Sequence, residues 1–172
     1  MKKVFMLVMV ALMTLGVSQK AQAIEDPNPT GTLVVGVRFN MEPGYNYFGA
    51  GANIVGDYTL FNHWWIGHFT VGGYIGSNFH SHMSQFTFMP RATYGLNITD
   101  DFEVHVAAMA GFGVRHLSPK YYPADYPYNP VYFSHGELAG CRYYFTPNIG
   151  VEAEVGYVYT MGYFNVGLSI KL

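Results

Sequence analysis

The sequence predicts an all-β protein, an eight-stranded antiparallel up-and-down transmembrane β-barrel. Three observations point there. Apolar residues fall at every second position in runs of about ten, the period of a strand with two unlike faces. Turn signals separate eight such runs. Only 12% of the 172 residues are charged, against 50% apolar and 17% aromatic, whereas a soluble surface of this size carries roughly 25–35% Lys, Arg, Glu and Asp.

The chain opens with an export signal. Lys2 and Lys3 supply a positive start, Val4 to Val17 an apolar stretch, and Ala21-Gln22-Ala23 the small-x-small pattern of a cleavage site. Residues 1–23 are expected to be removed, leaving residues 24–172 as one barrel domain. The apolar stretch is shorter than the roughly 20 residues of a membrane-spanning helix, and no cysteine follows to carry a lipid. Removal takes away Lys2, Lys3 and Lys20, which leaves six basic against eleven acidic residues, a formal charge of −5. Nucleic acid is excluded as a partner on that balance. The single cysteine excludes a disulfide framework and multi-cysteine metal centres.

The first strand is expected near residues 31–41, where Leu33, Val35, Val37, Phe39 and Met41 alternate with Thr32, Val34, Gly36, Arg38 and Asn40. The second and third, near 50–61 and 64–76, flank a tight Asn62-His63 turn. The fourth, near 86–98, sets Phe86, Phe88, Pro90, Ala92, Tyr94, Leu96 and Ile98 against Thr87, Met89, Arg91, Thr93, Gly95 and Asn97. Thr99-Asp100-Asp101 turns it into the fifth, near 102–114, where Phe102, Val104, Val106, Ala108, Ala110 and Phe112 oppose Glu103, His105, Ala107, Met109, Gly111 and Gly113. The sixth and seventh, near 134–145 and 149–159, flank Thr146-Pro147-Asn148, and the eighth covers 162–172. Strands of about eleven residues cross a bilayer when tilted. Longer connections at 42–49, 77–85 and 115–133 fall on one rim, and both termini are expected on the other, periplasmic, rim.

Alternation alone also fits a soluble lipocalin-like barrel, because period 2 does not say which face is outside. Composition decides. The polar face is rich in glycine and holds about one charge per strand, which suits a crowded lumen rather than a wetted exterior.

Gly140-Cys141-Arg142-Tyr143-Tyr144-Phe145-Thr146-Pro147-Asn148-Ile149-Gly150-Val151-Glu152-Ala153-Glu154-Val155-Gly156-Tyr157 resembles the penultimate hairpin of the small eight-stranded outer-membrane barrels, the OmpX-like and OmpA transmembrane-domain-like family. The resemblance covers the whole mature chain. It implies a bacterial outer-membrane protein in contact with lipid and lipopolysaccharide. Phe164, Val166, Leu168, Ile170 and Leu172 at alternate positions look like the C-terminal signal read by the barrel-assembly machinery, with Leu172 standing where an aromatic residue is usual.

Parity registers the tight hairpins, because residues on one face oppose residues on that face. Arg142 falls opposite Glu152, Asn97 opposite Glu103, Gly95 opposite His105, and Asp57 opposite His68. The lumen is expected to hold Arg38, Arg91, Arg142 and Lys171 against Asp57, Glu103, Glu152 and Glu154, four of each sign, with His68 and His105 hydrogen-bonded among them. Buried charges must pair, so a structural plug is favoured over an ion path. Cys141 faces lipid. Glu137 has lipid-facing parity, which implies either a position above the hydrocarbon or a bulge that switches faces. Trp64, Trp65, Phe102, Phe145 and Tyr159 belong to interfacial girdles.

No cofactor or fixed metal-site spacing is present. His80, His82, His116 and His135 are read as solvated rim residues, with a metal site as the lesser alternative. Ser81 beside His80 and His82, and Ser134 beside His135, supply residue types for a lipid-modifying hydrolase, but the His-x-Ser arrangement of the lipid A deacylases is absent. The proline-rich third loop carries Tyr121, Tyr122, Tyr126, Tyr128 and Tyr132, amphipathic contact area on a stiffened chain. That makes it the candidate binding surface for an extracellular protein or glycan. The resulting expectation is a structural or surface-interaction protein without catalysis, ahead of a lipid-modifying enzyme and then a narrow porin-like channel.

Overall fold

β-Branched and aromatic residues at alternate positions favour a pleated surface, and the turn residues between them permit each run to fold back on the last. A computed structural model describes residues 27–43, 48–121, 123, 127–159 and 162–172. It contains β1 (Leu33–Pro43), β2 (Phe48–Trp64), β3 (Gly67–Phe79), β4 (Met83–Asn97), β5 (Phe102–Leu117), β6 (Val131–Tyr144), β7 (Ile149–Val158) and β8 (Gly162–Lys171). Each strand pairs antiparallel with the next, and β8 returns to β1, so the ladder closes. The expected export signal lies outside the described residues.

Two tight turns fall where parity places them. Asn97 opposes Glu103 across residues 98–101, and Arg142 opposes Glu152 across residues 145–148. The hairpin expected at Asn62-His63 is different. β2 continues to Trp64, the turn is Trp65-Ile66, and Asp57 opposes Gly72 while His68 opposes Gly95. Two register shifts between Thr59 and Trp64 take up the extra length, and Trp65 adopts a left-handed φ of 65°. The register slides by an even number, so inward and outward faces are preserved although the partner of Asp57 changes.

The connection expected over 77–85 contracts to residues 80–82, because Asn78 pairs with Gln85 and Phe79 with Ser84. The third connection likewise begins only after Leu117 and ends before Val131. Beyond the hydrocarbon both strand faces are wet, so apolar alternation fades while the backbone ladder continues. In the β4–β5 ladder the pairing skips Met89 and Pro90 without changing register, as expected where proline has no N–H to donate.

Burial is inverted relative to a soluble protein. Arg38, Asp57, Arg91, Glu103, Arg142, Glu152 and Glu154 are buried, while Val37, Phe39, Ile54, Phe112, Val155 and Leu168 are more than half exposed. Above the charged residues, an apolar cluster of Val55, Tyr74, Met89, Ala107, Met109, Leu138 and Val158 lies inside the bore. Among the described residues no helix is long and apolar enough to cross a membrane; the apolar surface belongs to the strands. A closed ladder whose outer wall is hydrocarbon-like and whose charged side chains are enclosed within is a transmembrane barrel.

Aromatic residues mark both edges of that wall. Toward the short-turn rim, Trp64 packs edge-on against Phe69 and Tyr94, and the Tyr94 hydroxyl donates to the Trp64 carbonyl at 3.1 Å. Trp65, Tyr143 and Phe145 are exposed beside the same rim. Toward the other rim, Phe112 and Phe133 meet edge-on, and His135 stacks near-parallel to both Phe133 and Tyr159.

Candidate functional site

Strand parity carries seven charged side chains into the lower lumen, and the closed wall makes them meet. The Arg142 Nε donates to Glu152 Oε2 at 2.9 Å, its Nη1 to Glu103 Oε1 at 3.1 Å, and its Nη2 to Asp57. Arg38 spans Glu152 and Glu154. Arg91 donates from Nε to Asp57 Oδ1 at 3.1 Å and from Nη1 to Glu154 Oε2 at 3.2 Å. Arg91 and Arg142 therefore each hold carboxylates from different strands, while Arg38 bridges two carboxylates of β7, the geometry for which the planar guanidinium fork is suited.

The histidines attach to the same network. His105 lies with Nε2 2.8 Å from Glu154 Oε1 and Nδ1 3.3 Å from Glu103 Oε1. His68 Nε2 stands 3.7 Å from Glu103 Oε2 and not beside Asp57. Glycine makes the room. A Cβ on Gly140 would meet His105 Nε2 at 2.7 Å and Glu154 Cγ at 2.6 Å, and one on Gly36 would collide with the Glu152 carboxylate.

Lys171 corrects the expected charge balance. Its parity is inward, but it sits at the last position of β8, where Nζ donates to the Pro27 carbonyl at 2.8 Å and lies 4.0 Å from the Tyr144 ring centroid. Three guanidinium groups thus meet four carboxylates in the network. The segment before β1 was missed by period because it has none. Its Asn28 is buried and donates to Glu103 Oε2 at 2.9 Å and Asn97 Oδ1 at 3.1 Å, closing the short-turn mouth over the charged layer.

At the opposite mouth, Asn78 Nδ2 donates to Glu42 Oε2 at 2.7 Å, and His80 Nε2 lies 3.0 Å from the same oxygen. Glu42 continues the inward series Arg38, Asn40, so parity could have found it. His82 packs on Tyr121, with ring centroids 4.6 Å apart. His116 opposes Ser84 in the ladder, and His135 lies on the outer wall of β6. The four histidines do not converge. Among the described residues no group of three or more His, Cys, Asp and Glu is placed to hold a metal ion.

Ser81 Oγ lies in hydrogen-bond contact with His82 Nδ1, but both are at the exposed loop tip. Ser134 is buried and donates to the Tyr159 carbonyl at 2.9 Å, turned away from the outward His135 ring. Neither pair has the serine, base and orienting acid in line that hydrolysis requires. In the third loop Tyr121 and Tyr128 are exposed, and Tyr122 and Tyr126 lie outside the described residues. Tyr132 is not a loop residue. It occupies β6, is buried, and its hydroxyl meets Thr87 Oγ1 at 2.8 Å inside the lumen, because the strand begins before it and alternation turns it inward.

Of the two alternatives expected for Glu137, the bulge is absent. The β5–β6 register runs unbroken from Phe102–Tyr143 to Val114–Val131, so no bulge switches its face, and its side chain is exposed on the outer wall between Ala108 and Tyr157.

No family model matches the chain, and no curated relative matches it. Solved structures do. The crystal structure of Neisserial surface protein A is similar at 13% identity over 83% of this chain and 97% of that one, with a TM-score of 0.57. A de novo designed transmembrane β-barrel is similar at 14% identity over 84% of this chain and 97% of the design, with a TM-score of 0.51. The chain shares the eight-stranded closed fold of the small outer-membrane barrels. Identity this low carries architecture and not activity.

Proposed function

We propose that the protein is an integral outer-membrane barrel with a structural or surface-interaction role, a sealed scaffold that displays its longer connections outside the cell. The observation that supports the reading is the succession of side chains inside the bore. Asn28 at one mouth, the arginine–carboxylate layer, the apolar cluster around Tyr74 and Met89, and the Thr87–Tyr132 contact succeed one another along the axis. Eight-stranded barrels leave room for side chains and little else, so permeation of solutes is not the function this interior supports.

Function then falls to the wall and the outer rim. The wall meets lipid and lipopolysaccharide, the alternating final strand suits capture by the barrel-assembly machinery, and the connection over residues 118–130 offers tyrosine and proline to an extracellular protein or glycan. The test is insertion of the mature protein into planar bilayers, alongside fractionation of cells that express it. Recovery in the outer membrane, boiling-dependent gel migration and no steady conductance are expected. A soluble periplasmic monomer ends this reading, and discrete channel openings favour the porin-like alternative.

A further inference from the structure

Among the described residues, Glu137 is the one Asp, Glu, Lys or Arg on an outward-facing strand position. It lies four residues from Phe133 and six from Tyr143 along β6. At about 2.5 Å of height per residue in a strand tilted about 40°, that is roughly 10 Å below one aromatic edge and roughly 15 Å above the other, inside the hydrocarbon. No hydrogen bond or ion pair from the described residues engages its carboxylate. Lipid tails offer it no donor, and a polar group at that depth requires one.

The surrounding wall is shaped for close approach. On one side of Glu137 the outer surface sinks into a groove of about 320 Å³, its floor formed by Ala92 and Ala108 between Phe69, Tyr94 and Val106. On the other side Val155 and Tyr157 project from β7. Two positions up β6, on the same face, stands the His135 ring.

We propose that this wall is the contact face of a homodimer in the membrane, with a two-fold axis along the bilayer normal passing near Glu137. The proposal rests on the membrane reading above. All copies insert with the same orientation, so a second copy presents the same side chains at the same depth. A two-fold interface is self-complementary, pairing residue i with j and j with i. Glu137 of each copy meets His135 of the other, one turn of the pleat higher, giving two donor–carboxylate contacts. The same axis sets the left flank of one wall against the right flank of the other, so the Val155–Tyr157 ridge enters the Ala92–Ala108 groove twice. The need of each carboxylate for a donor, met by the partner's imidazole, selects a second copy over lipid, which matches the groove but leaves the carboxylate unanswered.

The test uses the full mature protein refolded into vesicles of phosphatidylethanolamine and phosphatidylglycerol, with boiling-dependent migration confirming a folded barrel in every sample. Single cysteines are placed at Ala108, at Ala139 and, on the opposite wall, at Val37, all in a Cys141→Ala background. Bis-maleimide should capture dimers from Ala108→Cys and Ala139→Cys and none from Val37→Cys. Ala108→Trp, which fills the groove, and Glu137→Leu should each lower captured dimer at least tenfold at a fixed protein-to-lipid ratio. Exchanging the pair as His135→Glu with Glu137→His should restore it. Capture that is absent, equal at all three positions, or unchanged by Ala108→Trp or Glu137→Leu overturns the dimer. A parent protein that never acquires boiling-dependent migration overturns the membrane reading instead, so the two failures are distinguishable.

Discussion

Arg142 and Glu152 stand directly opposite one another in the β6–β7 ladder, and the Arg142 Nε reaches Glu152 Oε2 across 2.9 Å with both side chains sealed from solvent. Neither belongs only to the other. Arg142 also holds Asp57 and Glu103, and Glu152 also holds Arg38. The pair is therefore one edge of a net that ties β1, β2, β5, β6 and β7 across the bore.

Truncating one member leaves its partners as buried charges without full compensation. Arg142→Met or Glu152→Leu alone should cost about 3–5 kcal/mol, and the double variant distinctly less than the sum of the two. Urea unfolding in lipid vesicles measures this. Strictly additive losses would show that the two side chains are not coupled.

Gly140 and Gly73 separate crowding from backbone entropy. A Cβ on Gly140 meets His105 and Glu154 inside the lumen, whereas one on Gly73 meets nothing within 4 Å. Gly140→Ala should destabilise the barrel by about 1–3 kcal/mol through overpacking. Gly73→Ala should be neutral or stabilising by up to about 1 kcal/mol, because it restricts the unfolded chain more than the strand. The same unfolding assay compares them, and equal losses would remove the crowding argument.

Both tryptophans of the sequence, Trp64 and Trp65, lie at the short-turn rim with exposures of 54% and 75%. Tryptophan favours the headgroup level. Emission should shift to the blue on insertion, and lipids brominated near the headgroup should quench it more strongly than lipids brominated near the chain terminus. Stronger quenching from the bilayer centre would place this rim wrongly.

What the sequence disclosed and what it hid divide along physical lines. Alternation reports a face, and every strand appears because hydrocarbon outside and a crowded lumen inside enforce that period. It reports no height, so Lys171 has the inward parity of Arg38 yet sits at the mouth. Turns bearing Asp, Asn or Pro, such as Thr146-Pro147-Asn148, announce themselves. The Trp65-Ile66 turn does not, since a left-handed tryptophan follows from the surrounding hairpin and not from propensity. Ladders that run on into water lose the period, which hid the inward position of Tyr132 and the shortness of the loop at residues 80–82. Asn28 left no signal at all, because a plugging segment is defined by what it covers.

The third connection tests whether the barrel is a display scaffold. Its base is tied to the rim at several points: the Arg115 backbone N–H donates to the Pro130 carbonyl at 2.8 Å, Ser118 N–H to the His82 carbonyl at 2.8 Å, and Val131 N–H to Asn129 Oδ1 at 3.0 Å. Those bonds belong to the fold, whereas Tyr121 and Tyr128 stand exposed above them. Loops on a rigid scaffold commonly carry binding residues. Excising residues 121–128, keeping Ser118 and Asn129, and closing with a short Gly/Ser turn should leave outer-membrane assembly and boiling-dependent migration intact. Binding of intact cells to immobilised extracellular-matrix protein or glycan, where the parent shows it, should fall at least tenfold. A shortened protein that fails to assemble would make the loop part of the fold. One that assembles and binds as the parent does would move recognition to the neighbouring connection at His80, Ser81 and His82.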